Sequence, residues 1–491
     1  LLLSFAVGAS LNLAFAPVGW WPLAILAPAT LFALIRGLPP RRAAVAGAAF
    51  GMGLFAVGTY WLYTCIHTIG LAPIWLTLFL QAALVAIMAS YCALLCFLAN
   101  RFWLKGGVTR DWLVLPSLWV LLEWLRGWLF SGFPWLSIGY AFIDSPLAGW
   151  APLFGVYGIT WAAAFAAVAV QALLAPAASA LRRVTALAAL GALFVAPSLA
   201  SRVAWTHPVG AAFPIAAVQA AIPQDQKWLQ NNRDATFARY ARLTDQAWGA
   251  RLIVWPEAAL PVLATSIPDY LQALQATGRS HDADFAIGLV NYDAATNQYF
   301  NGLRVLSDSG GWYYKRHLVP FGEYFPVPGF IRSWMRLMSL PFDDLTAGGP
   351  HQPLLRAAGQ TLGLTICYED AYGSSQLQVL RQATLLVNVT NNAWYGNSSA
   401  PHQHLQISRL RALEAGRYLI RAANDGITAL IGPQGQIIAR LPQFQEAVLQ
   451  GEVQPMSGLT PYARWGNYPV VSGALLMLAW GVWRRRRGAV G

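Results

Sequence analysis

Leu362-Gly363-Leu364-Thr365-Ile366-Cys367-Tyr368-Glu369-Asp370 is a short apolar run that stops on a cysteine followed by an aromatic ring and two carboxylates. A run of this length, leading into an amphipathic stretch at about 373–381, predicts a buried strand that feeds a helix. The same grammar repeats on both sides of it. Strands are predicted at 214–220, 252–256, 284–292, 302–306, 312–315, 362–368 and 384–389, with a late hairpin at 427–441 turned at Gly432–Gly435. Helical periodicity falls at about 232–248, 373–381 and 403–416. Strands interleaved with helices predict a layered α/β domain.

Composition changes sharply outside this region. Residues 202–466 hold 20 basic and 18 acidic side chains, as a water-soluble domain does, whereas residues 1–200 hold nine Lys/Arg against Asp111, Glu123 and Asp144. With 56% hydrophobic and 11% charged residues in 491, the chain lies outside the usual soluble range. A span needs about 20 mostly apolar residues to cross roughly 30 Å of hydrocarbon. About eight spans are predicted, at 1–16, 20–35, 43–64, 73–99, 112–130, 151–175, 184–200 and 470–483. With the N-terminus inside, Arg36/Arg41/Arg42, Arg101/Lys105/Arg110, Arg182/Arg183 and Arg484–Arg487 all face the cytoplasm, as the positive-inside rule asks. The net charge of +12 therefore reports topology, and no nucleic-acid partner is expected.

Cys65, Cys92 and Cys96 fall inside expected spans, which leaves Cys367 alone outside them. It is either a small core hydrophobe or a reactive thiol, exposed where a strand meets a helix, with its pKa lowered by the helix N-terminus and a cation. Lys315, one of three lysines, lies in Trp312-Tyr313-Tyr314-Lys315-Arg316-His317. It is either a solvated surface group or an ammonium that holds a thiolate or oxyanion. Glu257 ends Leu252-Ile253-Val254-Trp255-Pro256 and is either a helix cap or a carboxylate facing the crevice at the strand ends. Residues 324–342 are apolar enough for a lid beside a membrane, with Phe330, Trp334, Met335 and Met338 available to touch lipid, or for a covered core helix. His402-Gln403-His404 offers too few ligands for zinc, so a surface or hydrogen-bonding role and no metal are expected. Glu123 and Arg126, one helical turn apart, read as an interfacial pair, with headgroup contact kept open.

Taken together, Trp255-Pro256-Glu257, Lys315 ahead of Pro320-Phe321-Gly322-Glu323, and Cys367-Tyr368-Glu369 resemble the Glu–Lys–Cys triad of the nitrilase (carbon–nitrogen hydrolase) superfamily, in the same order. With its flanking spans the whole chain resembles the apolipoprotein N-acyltransferase family. Further support comes from Glu123-Trp124-Leu125-Arg126-Gly127 with Phe133-Pro134-Trp135, Ile222-Pro223-Gln224 with Trp228, Asn388 to Trp394, and Arg411-Ala412-Leu413-Glu414. The resemblance implies seven spans in 1–203, an αββα nitrilase-like domain at 204–464 outside the cytoplasm, and a final span with a basic tail at 465–491. It implies a multi-pass protein of the bacterial inner membrane, monomeric, with the catalytic domain facing the periplasm.

The implied activity transfers a fatty acyl group from a phospholipid, commonly phosphatidylethanolamine, to the N-terminal amine of a diacylglyceryl-cysteine apolipoprotein. No cofactor is implied. Cys367 would attack, Glu257 would take its proton, and Lys315 with the Tyr368 N–H would hold the oxyanion. Glu323 would orient Lys315, and which of the two carboxylates is the base stays open. Glu369 is a further supporting residue, and Trp228, Trp394 and Asn301 are implied substrate contacts. A membrane-bound amidase or lipid hydrolase, and a membrane scaffold with a vestigial nitrilase domain, are the alternatives.

Overall fold

The computed structural model describes residues 1–103, 107–175, 179–324 and 344–487. The chain divides into two compact units, Leu1–Trp205 with Thr460–Gly491, and Thr206–Leu459. The expected lid at 324–342 lies, beyond Tyr324, outside the described residues, as does Lys105.

The first unit is helical. Its longer helices are Leu2–Ser10, Leu23–Leu34, Pro40–Gly58, Ile74–Phe102, Leu115–Arg126, Ala151–Leu174, Ala180–Ala200 and Tyr468–Arg487, one in each expected span. Several are shorter than a span requires. Among the described residues three helical stretches, Ile74–Phe102, Pro146–Leu174 and Ala180–Ala200, are long and apolar enough to cross a membrane. A fourth is reached if Pro40–Gly58 and Trp61–Ile69, bent by 51°, form one span. The shortfall has local causes: Leu2–Ser10 tightens into a 3₁₀ turn at Leu11–Ala14, Leu115–Arg126 stops at Gly127, and Tyr468–Arg487 ends in four arginines. Small residues let these helices approach closely. A Cβ on Gly47 or Gly51 would meet the backbone of Cys92 or Ala89, and one on Gly53 would meet that of Phe5.

The Glu123 and Arg126 side chains are spent inside this unit. Arg126 donates to the carbonyls of Phe133 and Trp135, both at 2.6 Å, and to Ser137 Oγ at 3.1 Å. Glu123 accepts from Trp119 Nε1, the Ile138 backbone N–H and Thr160 Oγ1. Both groups pin the irregular segment 133–138 to its neighbouring helices.

The second unit holds two six-stranded sheets. The first runs Ala447–Val453, Phe213–Gln219, Leu252–Trp255, Asp284–Asp293, Gln298–Leu306, Gly311–Tyr314; the second runs Ile437–Arg440, Ala429–Ile431, Leu419–Ala423, Leu385–Thr390, Gln360–Ile366, Arg356–Ala357. The middle of each is parallel: Phe213–Gln219, Leu252–Trp255 and Asp284–Asp293 in one, Gln360–Ile366, Leu385–Thr390 and Leu419–Ala423 in the other. Helices Arg233–Asp245 and Pro268–Ser280 cover the first sheet, where Tyr240 stacks on Trp255 at 4.6 Å and Leu271 joins the same core. Helix Ala400–Ala415 packs on the second sheet, and the Leu419–Ala423 strand lies across Phe213–Gln219. The result is the four-layered αββα sandwich.

Every strand expected from the sequence is present within a few residues. The helix expected at 373–381 is instead two short turns, Gly373–Gln376 and Val379–Arg381. Helix Pro268–Ser280 and strands Leu419–Ala423 and Ala447–Val453 were not expected.

Candidate active site

The parallel strands of both sheets deliver their C-terminal ends to one region, the usual crevice of an open α/β sheet. Glu257 lies two residues past Trp255, and Cys367 directly follows Ile366. Lys315 follows Tyr314, with its backbone N–H donating to the Asn301 carbonyl at 2.8 Å. Cys367 begins a tight turn with φ +54°, a left-handed conformation that costs a non-glycine residue about 1–2 kcal/mol. Ala258, beside Glu257, is also left-handed at φ +45°. The left-handed backbone at Cys367 and Ala258 marks sharp turns just past the two strand ends.

Lys315 is buried, and its Nζ lies 3.2 Å from Glu257 Oε1 and 2.9 Å from Glu323 Oε1. The Asn301 amide bridges the same two oxygens, donating to Glu257 at 2.7 Å and to Glu323 at 2.9 Å. The remaining carboxylate oxygens are held by main chain: Glu257 Oε2 accepts from Asn391 N at 2.8 Å and Glu323 Oε2 from Val319 N at 2.8 Å. Lys227 Nζ, fully buried, donates to the Glu257 carbonyl from behind. Two carboxylates thus share one ammonium and one amide in a fixed, water-poor arrangement.

Charge follows from that geometry. Burial alone would raise the Glu257 pKa, but Lys315, Asn301 and the Asn391 N–H outweigh it and hold the carboxyl below its usual value. Lys315 runs the other way, since Glu257 and Glu323 overcome the cost of burial and keep it protonated. The Cys367 thiol is pushed up to about 12, by burial first and by the Glu257 charge second, against the pull of Lys315. The expectation of an exposed thiol with a lowered pKa is therefore corrected. Cys367 is 6% exposed, and its environment favours the neutral thiol beside the Glu257 carboxylate. That pairing suits general-base activation better than a standing thiolate.

Glu369 locks the elbow. Its Oε2 accepts from Ile366 N at 2.8 Å and Tyr313 OH at 3.0 Å, while Oε1 accepts from the backbone N–H of Arg316 and His317 at 2.6 and 3.2 Å. One buried carboxylate therefore ties the cysteine turn to the chain that carries Lys315. Beneath the elbow lies a network that sequence reading missed. Asn388 Nδ2 donates to the Cys367 carbonyl at 3.3 Å, and Arg421 reaches Asn388 Oδ1 at 2.7 Å and Asp370 Oδ2 at 3.5 Å. His404, assigned only an ordinary role from sequence, is fully buried and reaches both Asp370 and the Cys367 carbonyl. Its partners lie 34 and 37 residues away, so no local pattern could mark it.

The remaining expected contacts are less central. Asn301 is engaged with the two carboxylates. Trp228 is half-buried just after the Gln224–Lys227 turn, and Trp394 is 36% exposed in the turn Asn392–Tyr395. Asn391 Nδ2 joins these two loops by donating to Gln224 Oε1 at 2.7 Å. Tyr368 packs edge-on against Tyr372, which stacks on His317 at 4.3 Å. Among the described residues no group of three or more His, Cys, Asp or Glu is placed to hold a metal ion.

Both units of the chain resemble known proteins. Residues 7–169 match the family model "Apolipoprotein N-acyltransferase N-terminal domain", and residues 214–462 match "Carbon-nitrogen hydrolase". The apolipoprotein N-acyltransferase of Methylococcus capsulatus is 41% identical over 497 residues, covering 100% of this chain and 97% of that protein. Those of Azotobacter vinelandii and Pseudomonas putida are 43% and 40% identical, covering 99% and 98% of this chain and 95% of each relative. Similarity of this extent over both units places the chain in the apolipoprotein N-acyltransferase family.

Proposed function

We propose that the protein transfers a fatty acyl group from a phospholipid to the N-terminal amine of a diacylglyceryl-cysteine apolipoprotein, through a thioester on Cys367. The observation that carries the assignment of roles is the convergence of Lys315 Nζ on Glu257 and Glu323 beside a thiol that feels both Glu257 and Lys315. The full-length likeness to proteins named apolipoprotein N-acyltransferase supports N-acylation of an apolipoprotein acceptor.

In the first half-reaction Glu257 removes the thiol proton as sulfur bonds to the ester carbonyl carbon. The oxyanion forms beside the Lys315 ammonium and the Tyr368 N–H. Collapse breaks the acyl–oxygen bond, and the leaving lysophospholipid oxygen takes the proton from Glu257. In the second half-reaction the acceptor amine attacks the thioester and gives a proton to Glu257. Collapse expels the Cys367 thiolate, which recovers that proton, and an amide remains. Glu323 and Asn301 hold Lys315 and Glu257 in register throughout.

In the same reading phosphatidylethanolamine is the donor and the protein works as a monomer without a cofactor. The helical unit sits in a bacterial inner membrane with its eight helices as spans, some of them short, and the sandwich faces the periplasm. Support for the membrane assignment comes from the three to four sufficiently long apolar helices and the clustering of arginines between expected spans.

The test is intact mass of detergent-purified protein mixed with phospholipid alone. One acyl chain should be added per chain, with one lysophospholipid released, and Cys367→Ala should show neither. A diacylglyceryl peptide with a free N-terminus should then discharge the thioester into an amide. Continuous release of free fatty acid without acceptor would replace this reading with a lipid hydrolase.

A further inference from the structure

One end of the helical unit concentrates positive charge that the acyl-transfer chemistry does not use. A polar layer closes that end. Asn100 Nδ2 donates to the carbonyls of Ile35 and Leu38, Arg110 Nη2 donates to Asn100 Oδ1 at 2.7 Å, and Asp111 pairs with Arg36 at 2.7 Å and Arg110 at 3.6 Å. Asp111 is thereby consumed by two arginines. The last helix passes this layer at Gly481, beside Val114, Trp103 and Thr109, and continues one turn further into Arg484–Arg487.

Beyond the layer five more arginines gather without counter-charge. Arg101 Cζ lies 5.7 Å from the centroid of the Phe102 ring, and Arg485 Cζ, from the other helix, lies 5.5 Å from the same ring. Arg484 sits 4.6 Å over Trp480 and Arg487 4.1 Å over Trp483. Among the described residues no carboxylate pairs with Arg101 or with any of Arg484–Arg487. All five are exposed. Like charges drawn onto one ring repel, so the arrangement calls for an anion between them. A guanidinium resting on an aromatic face still has its N–H edge free, and that edge matches two oxygens of a phosphate.

We propose that Arg101, Phe102 and Arg485, flanked by Arg484 and Arg487, form a binding site for the phosphate of an anionic phospholipid headgroup. The bound lipid would clamp the last helix to helix Ile74–Phe102. The proposal rests on the membrane reading of the helical unit and concerns a structural lipid distinct from the acyl donor. A lipid is favoured over a soluble anion because the site lies at the end of two apolar helices, where aromatic rings and arginines meet the headgroup region.

The experiment uses the full chain in uncharged detergent, supplied with phosphatidylcholine and increasing phosphatidylglycerol. Native mass spectrometry counts the lipids retained and melting temperature is followed in parallel. The wild type should retain phosphatidylglycerol in preference and melt higher as it is added. Arg101→Gln/Arg485→Gln should lose roughly fivefold in retention per arginine, about 25-fold for the pair, together with the melting shift. Arg485→Gln alone changes one exposed side chain, so it supplies the same comparison at about fivefold should the double variant fold poorly. Thioester formation on Cys367 should be unchanged in both variants, which separates a failure here from a failure of the acyl-transfer reading. Equal preference for phosphatidylglycerol in wild type and variants overturns the proposal. Inorganic phosphate that raises the melting temperature as much as the lipid does overturns it too, in favour of a soluble-anion site.

Discussion

His404 Nε2 lies 3.2 Å from the carbonyl oxygen of Cys367 and 2.9 Å from Asp370 Oδ1. Both neighbours are acceptors, so this nitrogen carries the proton, and Nδ1 accepts from Asn392 Nδ2 at 3.2 Å. The ring needs no second proton. Burial and Arg421 push its pKa down more strongly than Asp370 raises it, which keeps it neutral. The imidazole thus helps to hold the Cys367 carbonyl in a left-handed turn.

His404→Gln keeps a side-chain N–H that can reach the same acceptors, whereas His404→Ala strands two of them. The alanine variant should acylate Cys367 about 10²-fold more slowly, the scale of a displaced reacting group, while the glutamine variant recovers most of the rate and neither moves KM. Single-turnover acylation measures this. Because the folded-state pKa is depressed, His404 contributes stability above its unfolded value near 6.5 that is lost as pH falls towards the folded value. Melting of His404→Gln should accordingly fall off less steeply below about pH 6.5 than that of wild type.

Asn301 supplies a second test. Its amide hydrogen bond helps to hold the Glu257 pKa down, so Asn301→Ala should raise it. The acid limb of the pH–rate profile for Cys367 acylation should shift to higher pH, and further in Asn301→Asp, which adds a like charge. An unmoved limb with a raised KM would return Asn301 to the substrate-binding role that sequence suggested.

Gly288 shows how backbone elsewhere sets the site. A Cβ there would meet the Pro256 carbonyl and the Glu257 Cα. Gly288→Ala should shift Glu257 and lower turnover at least tenfold, with about 1–3 kcal/mol of stability lost to overpacking. Urea unfolding and single-turnover acylation of the same sample separate the two effects.

What could be read in advance depended on whether a residue's partners were local. Glu257, Lys315 and Cys367 each follow an expected strand; singly each kept a bland reading open, and the three ordered motifs together carried the resemblance. Strand Leu419–Ala423 was missed because Arg421 interrupts its apolar pattern; the guanidinium is tolerated only because Asp370, Asn388 and Asn392 meet it from 51, 33 and 29 residues away. Glu123 and Arg126 were visible as polar groups in an apolar helix. Half of their partners, the carbonyls at 133 and 135 and the amide at 138, are backbone groups that no side-chain pattern announces. The helices within expected spans 1–16 and 112–130 are shorter than those spans for a related reason, since hydropathy sums across the turns at Leu11–Ala14 and Gly127 without sensing them.

Thiol reactivity and catalysis should respond differently to the two charges beside Cys367. In the resting protein burial raises the Cys367 pKa first, Glu257 raises it further, and Lys315 lowers it. Removing the Glu257 charge in Glu257→Gln should lower the thiol pKa and so speed alkylation by a small neutral reagent at pH 8. The same substitution removes the proposed proton acceptor of acylation, so thioester formation should fall by about 10²–10⁴. Lys315→Met acts in the opposite sense on the thiol. Its pKa should rise and alkylation slow, while loss of the oxyanion partner costs acylation about 10²–10³. Opposite changes in alkylation with parallel losses of acylation identify a neutral thiol activated by a carboxylate. If instead the wild-type thiol titrates near neutrality and alkylation slows in Glu257→Gln, a pre-formed thiolate is the nucleophile and Glu257 is not its base.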